Sequence, residues 1–329
     1  MPTRQQGMML SLQYSGDGDV YNVYYSYSAI PLMSTLAAIH SPTWRDYYEL
    51  GKPRVVMLIV FTAFVGMLLA VPGWPPIEAL IFGNFGIALA ASSAAAINHV
   101  LDRRFDLHMK RTQGRPIPLG HVSEGQAIRY AILLGVLSML MLVLWVNLLT
   151  AILTFASLIG YAIVYTVWLK HATPQNIVIG GAAGAAPPVL GWAAATGTVD
   201  HNALLLFLII FIWTPPHFWA LAIARRDDYA KVGIPMLPVI YGVEFTSLHI
   251  LFYTILLMIV TLLPYLTGLS GLLYLVSAVI LGGIFIGYAI KLKVRPTQAL
   301  PMRIFGYSIT YLSLLFTMLL VDHYLRLAV

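Results

Sequence analysis

The sequence contains no cysteine, and only 10% of its 329 residues are charged. Without cysteine, a disulfide framework, thiolate metal ligands, a cysteine nucleophile and covalent heme attachment through C-x-x-C-H are all excluded. Because 59% of the residues are hydrophobic, too few polar side chains are present to cover a water-soluble domain of this size. The shortage of charged and polar residues predicts a membrane protein.

Long apolar runs predict an all-α protein that crosses the membrane nine times, because one crossing takes about 20 apolar residues. Tyr130 to Leu169 is about twice as long as one crossing, which predicts a tight helical hairpin at Val146 and Asn147. The nine predicted spans are Val55–Val71, Ile77–Ile97, Tyr130–Val146, Leu148–Leu169, Ile177–Ala195, Ala203–Ala224, Leu248–Leu263, Leu269–Ile290 and Ile304–Val321.

The basic residues predict the orientation, since Lys and Arg near the ends of spans stay on the cytoplasmic side. Placing the N-terminus inside puts 18 of the 19 Lys and Arg residues in inner segments and leaves Arg326 outside. The net charge of +6 therefore marks topology, and nucleic acid is not needed as a partner. Lys52 and Arg54, at the start of the first span, are interpreted as such cytoplasmic anchors.

Residues 1–43 differ from the rest, being rich in Tyr, Ser and Gly in "QYSGDGDVYNVYYSYS". They match neither a signal peptide nor an Arg-rich transit peptide. We therefore expect a mobile N-terminal extension, residues 1–43, a single transmembrane domain, residues 44–329, and a location in a bacterial cell inner (cytoplasmic) membrane.

Asn98, Asp102 and Asp106 follow one of the predicted spans at spacings i, i+4 and i+8, which places them on one helix face. Oxygen ligands in this arrangement suit Mg²⁺ bound together with a substrate phosphate. Lys110, Arg111 and Arg115, close behind, could hold the remaining phosphate charge. These residues predict a diphosphate site; the alternative is a solvated helix end whose acids pair with neighbouring arginines.

A second inner loop carries Asp227 and Asp228. It follows the sixth predicted span, which contains Pro215 and Pro216; a proline removes a backbone hydrogen bond, so this helix should be kinked or broken beside a cavity. His217 comes next, and ionisable residues inside membranes are candidates for function. The alternative role for His217 is a hydrogen bond to a carbonyl that the prolines free.

The two acidic loops resemble those of the intramembrane UbiA-type prenyltransferases, which share N-x-x-x-D-x-x-x-D and a second acidic motif. "RTQGRPIPLG", "GGAAGAAPPVLGW" and "PHFWALAIARRDDYAKVGIPMLPV" are similar to the heme O synthase (protoheme IX farnesyltransferase) branch, and the likeness covers about residues 44–322. The resemblance implies nine transmembrane helices around a central cavity that opens to the membrane.

The resemblance also implies the reaction: a farnesyl group passes from farnesyl diphosphate to the 2-vinyl group of heme B, and the product, heme O, serves terminal oxidases. Mg²⁺ is the implied cofactor, with heme B as a substrate and the lipid bilayer as the surroundings. Heme A synthase and oxidase assembly proteins are candidate partners.

For the site, the resemblance implies Mg²⁺ ligation by Asn98, Asp102, Asp106 and Asp228. Arg115, Lys170 and Arg111 would assist with the diphosphate, and Asp227 would be a solvated neighbour of the ligand. In contrast to the wider superfamily, Arg225 stands one turn before Asp228.

The remaining predicted substrate contacts are Tyr161, Tyr165 and His217. The two tyrosines would offer aromatic faces to the farnesyl cation, or would simply face lipid. His217 would ligate the heme iron, orient the porphyrin or accept a proton. The alternative functions are a UbiA-type transferase with another aromatic acceptor and a heme or solute transporter without catalysis.

Overall fold

The computed structural model describes residues 41–328, so residues 1–40 of the predicted N-terminal extension lie outside the described residues. The described chain contains helices and no strand. The α-helices are α1 (Trp44–Leu50), α2 (Pro53–Leu69), α3 (Asn84–Asp106), α4 (Glu124–Trp145), α5 (Leu148–Ile159), α6 (Lys170–Ala172), α7 (Asn176–Ala185), α8 (Pro187–Thr196), α9 (His201–Ala224), α10 (Arg226–Lys231), α11 (Leu237–Ile240), α12 (Gly242–Leu266), α13 (Leu272–Val294) and α14 (Leu300–Ala328). Two π-helical segments, Ala79–Gly83 and Gly160–Leu169, precede α3 and follow α5.

Within residues 41–328, eight helical stretches are long and apolar enough to cross a membrane, and a ninth forms if α1 and α2 count as one bent span. Their axes meet at 55°. The predicted polytopic all-α fold is therefore confirmed. The predicted hairpin is confirmed as well, because α4 ends at Trp145 and the Asn147 side chain caps α5 by accepting a hydrogen bond from the Thr150 N–H at 2.8 Å.

The helices contact one another in a closed circuit. α3 packs against α2 and α4 and also against the second π-helical segment, which packs against α7. From there α7 packs against α9, α9 against α12, α12 against α13, and α13 against α14, which returns to α2. Bulky buried side chains fill the part built by α9, α13 and α14 and include Trp219, Tyr274, Phe285, Tyr311 and Phe316. This arrangement matches the predicted ring of helices.

α2 and α8 approach until their backbones touch. A Cβ atom added at Gly191 would lie 1.9 Å from the Ala63 carbonyl oxygen, and one at Gly66 would lie 2.3 Å from the Pro188 carbonyl oxygen. Small residues permit such contacts where no hydrophobic force drives helices together in lipid. The close packing fixes the position of α2, and therefore also of Lys52, which directly precedes this helix and belongs to the site described below.

The predicted break at Pro215 and Pro216 is absent, since α9 runs without interruption from His201 to Ala224. Both proline rings are buried against neighbouring helices. The span is therefore not broken at the prolines, and His217 follows them within the same helix.

Candidate active site

Three polar side chains line one buried face at the end of α3. Asn98, Asp102 and Asp106 expose only 4%, 5% and 3% of their surfaces. The Asn98 amide donates a hydrogen bond to Asp102 Oδ2 at 2.9 Å, as expected for neighbours at i and i+4. The alternative of a solvated helix end is therefore wrong for these acids.

Each of these side chains contacts a basic group from another part of the chain. Lys170 Nζ lies 2.6 Å from Asp102 Oδ1, and Arg115 Nη1 lies 2.6 Å from Asp106 Oδ2. Lys52 donates a hydrogen bond from Nζ to Asn98 Oδ1. Because the three cations come from three separate segments, the fold concentrates positive charge around a buried acidic face.

Lys52 was interpreted as a cytoplasmic anchor, but the structure turns it toward the acidic face. Its φ of 50° makes it the one non-glycine residue between 41 and 328 with a positive φ. Such a left-handed conformation is costly and persists where the surroundings require it. Arg54, two residues later, is exposed and keeps the anchor interpretation.

Tyr161 and Tyr165 stand on the second π-helical segment, with ring centroids 5.5 Å apart. Both lie close enough to Asp102 and Arg111 to interact with their charges. Thr166 joins this segment to α3, because its hydroxyl donates to the Tyr161 carbonyl at 2.9 Å and receives a 3.4 Å hydrogen bond from Asn98. This placement favours a role in the site over the alternative of lipid-facing tyrosines.

The position of Tyr165 depends on α7. A Cβ atom added at Gly180 would lie 2.1 Å from Tyr165 Cδ2, so the ring occupies the space that any larger residue would need. At the next residue, Gly181, an added Cβ atom would lie 3.0 Å from Cγ2 of Thr214 on α9. π-Helical segments are often found at functional sites, and here the distorted segment and the glycines of α7 together hold the tyrosine.

The second acidic segment is α10, where adjacent carboxylates differ in exposure. Asp228 is buried, with 7% of its surface exposed, whereas Asp227 is exposed. Arg111, which lies in the chain between α3 and α4, is near enough to the next residue, Tyr229, for its charge to act on it. Burial raises the pKa of Tyr229, while the Arg111 charge acts in the opposite direction. The segments that carry the two acidic motifs therefore lie near each other at Arg111 and Tyr229.

His217 lies on α9 and contacts α14. Its Nδ1 atom is 2.6 Å from the Ser308 hydroxyl oxygen, and its ring stacks between Trp213 and Phe305 at centroid distances of 4.2 and 4.5 Å. The expected alternative, a hydrogen bond to a carbonyl that the prolines free, was wrong, because the partner is a side chain of another helix.

The donor set around α3 fits a hard divalent cation. Asn98, Asp102 and Asp106 present only oxygen atoms as ligands, and no set of three or more His, Cys, Asp or Glu positioned for a metal occurs between residues 41 and 328. Protein ligands alone therefore do not complete a coordination sphere. Mg²⁺ suits such a site, since it normally keeps waters and shares phosphate oxygens with a substrate.

Sequence reasoning missed four residues of this region: Lys52, Thr166, Tyr229 and Ser308. One sequence feature could have drawn attention to Lys52: it directly precedes Pro53 at the start of a span. Thr166 lies five residues after Tyr161, a spacing that α-helical periodicity does not pair and that the π-helical segment brings into contact. Ser308 lies 91 residues from His217, and no spacing rule predicts contact over that separation.

Comparisons with known proteins agree with the geometry. The family model of the UbiA prenyltransferases matches residues 59–318. A protoheme IX farnesyltransferase of Methylococcus capsulatus is 60% identical over 87% of this chain and 96% of its own length, and one of Alkalilimnicola ehrlichii is 61% identical over 86% and 93%.

Two solved structures share the fold. A digeranylgeranylglyceryl phosphate synthase superposes with a TM-score of 0.71 at 19% identity and covers 85% of this chain and 98% of its own. A UbiA homolog from Archaeoglobus fulgidus bound to GPP and Mg²⁺ gives a TM-score of 0.60 at 15% identity, over 86% and 100%. At these identities the likeness shows the architecture alone.

Proposed function

The chain belongs to the UbiA prenyltransferase family, and from this premise we propose that it transfers a farnesyl group from farnesyl diphosphate to the 2-vinyl group of heme B, with addition of water, to make heme O. The relatives that are about 60% identical over most of both chains are named protoheme IX farnesyltransferases. The chain is thus an enzyme, and its reaction is the transfer of a prenyl group.

One structural observation carries the proposal: Lys52, Lys170 and Arg115 converge on the buried acidic face of α3. Cations gathered from three segments are suited to a substrate with several negative charges, and Arg can bind phosphate oxygens in a bidentate manner. The bundle around them is apolar. A lipid-soluble chain with a diphosphate head matches both properties.

Asn98, Asp102, Asp106 and Asp228 are the residues that would hold Mg²⁺. When bound, the ion supplies Lewis-acid stabilisation of the negative charge on the diphosphate. The basic partners of the acids then become available to the substrate. Lys170 and Arg115 exchange their carboxylate contacts for phosphate oxygens, and Arg111 reaches the same head from its place beside Tyr229.

Transfer begins when the allylic C–O bond breaks and the diphosphate leaves with the electron pair. Lys52, Lys170 and Arg115 stabilise the charge that develops on the departing oxygen. The farnesyl carbon that becomes positive needs a water-poor space and aromatic faces, because water would quench it. The stacked pair Tyr161 and Tyr165, beside the acidic face, provides those faces.

The acceptor vinyl group attacks through its terminal carbon and forms the new C–C bond. The positive charge moves to the carbon that adjoins the porphyrin, where the macrocycle delocalises it. A water molecule adds there and loses a proton, which leaves a hydroxyethylfarnesyl group. No protein nucleophile is needed, in agreement with the lack of cysteine in the sequence.

The polytopic helical fold places the enzyme in a membrane. The finer assignment belongs to the proposal: a bacterial cytoplasmic membrane with the N-terminus inside, supported by the distribution of 18 of 19 basic residues on one side. The charged face of α3 then opens to the cytoplasm. Heme A synthase and oxidase assembly proteins are proposed partners on chemical grounds, as consumers of the product.

A substrate panel tests the function. Purified protein in lipid nanodiscs receives Mg²⁺, one prenyl diphosphate of 10, 15 or 20 carbons, and either heme B or 4-hydroxybenzoate, and products are measured by mass spectrometry. The proposal predicts one efficient pair, the 15-carbon donor with heme B. Efficient prenylation of hydroxybenzoate without a heme product would assign another acceptor and overturn the proposal.

A further inference from the structure

Ser308 controls which nitrogen of His217 carries the proton. Its hydroxyl donates a hydrogen bond to the Phe305 carbonyl at 2.7 Å, so the same hydroxyl oxygen accepts from His217 Nδ1 at 2.6 Å. A hydroxyl has one proton to donate. His217 is therefore the tautomer with the proton on Nδ1, and its Nε2 atom has a free lone pair.

The ring of His217 is held in orientation as well as in tautomer. Trp213 and Phe305 stack on its two faces. Trp213 is itself fixed, because its indole N–H donates to the Ser308 carbonyl at 2.8 Å. Ser308 thus contacts His217 through its side chain and Trp213 through its backbone, and both the plane and the edge of the imidazole are determined.

The Nε2 edge of the His217 ring remains free. Within residues 41–328 Nε2 forms no hydrogen bond, and it is not among the polar atoms that are both unpaired and fully enclosed. Thr214, one turn earlier on α9, lies against Gly181 of α7, and adjacent Gly180 lies against Tyr165. The turn of α9 that precedes His217 therefore packs on the same helix that holds Tyr165.

Resting on the proposed function, we infer that His217 Nε2 binds the iron of the heme acceptor and that Ser308 is the positioning residue that makes this possible. Metal-bound histidines commonly donate their other N–H to an oxygen atom, which fixes the tautomer and raises the basicity of the ligand. Here the Ser308 hydroxyl supplies that oxygen atom, and the stacked rings of Trp213 and Phe305 hold the imidazole in place.

Heme titration without farnesyl diphosphate tests the inference independently of catalysis. The protein in nanodiscs is titrated with heme B, and the Soret band and the electron paramagnetic resonance spectrum report on the axial ligand. Wild type should show a histidine-bound iron. His217→Phe, which keeps the stacked ring without nitrogen, should lose that signature, and Ser308→Ala should weaken binding about 10-fold to 100-fold.

Two further variants separate positioning from general damage. Ser308→Thr retains the hydroxyl and should restore the wild-type spectrum. His249→Phe is the matched control, because His249 Nδ1 also bonds to an oxygen, the Phe245 carbonyl at 2.9 Å, beside an aromatic ring at 4.1 Å. It should leave the heme spectrum unchanged, and melting temperatures verify that every variant is folded.

The outcomes distinguish this inference from the proposed function. An unchanged heme spectrum in folded His217→Phe overturns iron ligation. Slow farnesyl transfer by that variant would not rescue it, because loss of a proton acceptor would slow the reaction as well. A His217-dependent spectrum supports ligation even if heme O is never formed, in which case only the proposed reaction fails. Equal binding by Ser308→Ala and wild type overturns the positioning role of Ser308.

Discussion

Lys170 Nζ lies 2.6 Å from Asp102 Oδ1, and both side chains are largely buried. The ammonium group comes from the first residue of α6, directly after the second π-helical segment, and the carboxylate comes from α3, so the pair joins two spans. A buried pair of this kind is held in place before substrate arrives. In the proposed reaction Lys170 is thereby ready to transfer its contact to the diphosphate.

Lys170→Met should lower the rate of farnesyl transfer roughly 100-fold to 1,000-fold, the usual effect of removing one donor that stabilises developing negative charge. Lys293→Met is the control, since Lys293 forms a 2.9 Å pair with Glu244, whose side chain is 91% exposed. Initial rates of heme O formation measure both. Equal loss in the two variants would show that Lys170 acts only through general stability.

Substitutions of the two adjacent carboxylates of α10 should have very different effects on the rate of farnesyl transfer. Asp228→Asn removes charge from a buried carboxylate in the second acidic segment and should reduce the rate by at least about 100-fold, whereas exposed Asp227→Asn should leave it within about 2-fold. The Mg²⁺ concentration that gives half-maximal rate should rise in Asp228→Asn alone. If Asp227→Asn is the damaging change, the assignment of the ligand is reversed.

Two glycines of α7 provide another matched pair. Gly180→Ala must push Tyr165 away, because its Cβ would lie 2.1 Å from the ring, whereas Gly184→Ala meets nothing within 4 Å. We expect the first to slow transfer about 10-fold to 100-fold through misplacement of the tyrosine and the second to be silent. Rates at saturating substrate test this, and an active Gly180→Ala would remove Tyr165 from the mechanism.

Chelation should stop catalysis without unfolding the protein. The acids on α3 already have Lys170 and Arg115 as partners, so loss of Mg²⁺ leaves no unpaired buried charge there. EDTA should abolish heme O formation, Mg²⁺ should restore it, and the melting temperature should change little. A large fall in melting temperature on chelation would instead identify a structural ion.

Hydropathy and helical periodicity are sufficient to predict much of this structure from the sequence. The spans follow from runs of apolar residues, and the face shared by Asn98, Asp102 and Asp106 follows from their spacing, since both signals are local. The exposure difference between Asp227 and Asp228 also agrees with the expected roles, although only activity measurements test those roles.

Other features depend on backbone geometry or on distant packing. The left-handed conformation of Lys52 has no signature in composition, and neither has its hydrogen bond to Asn98. Pro215 and Pro216 predicted a kink or a break, and the helix continues unbroken through both. Contacts such as His217 with Ser308 depend on how α9 meets α14, which no local pattern encodes.

The most direct test of the central claim is the mass spectrum of hemes extracted after the nanodisc-bound protein reacts with heme B, farnesyl diphosphate and Mg²⁺, compared between wild type and Asp102→Asn. The account predicts a species heavier than heme B by one farnesyl group and one hydroxyl in the wild type, and its loss in a folded Asp102→Asn variant. The same yield from both proteins would contradict the claim that the buried acidic face of α3 is the catalytic site.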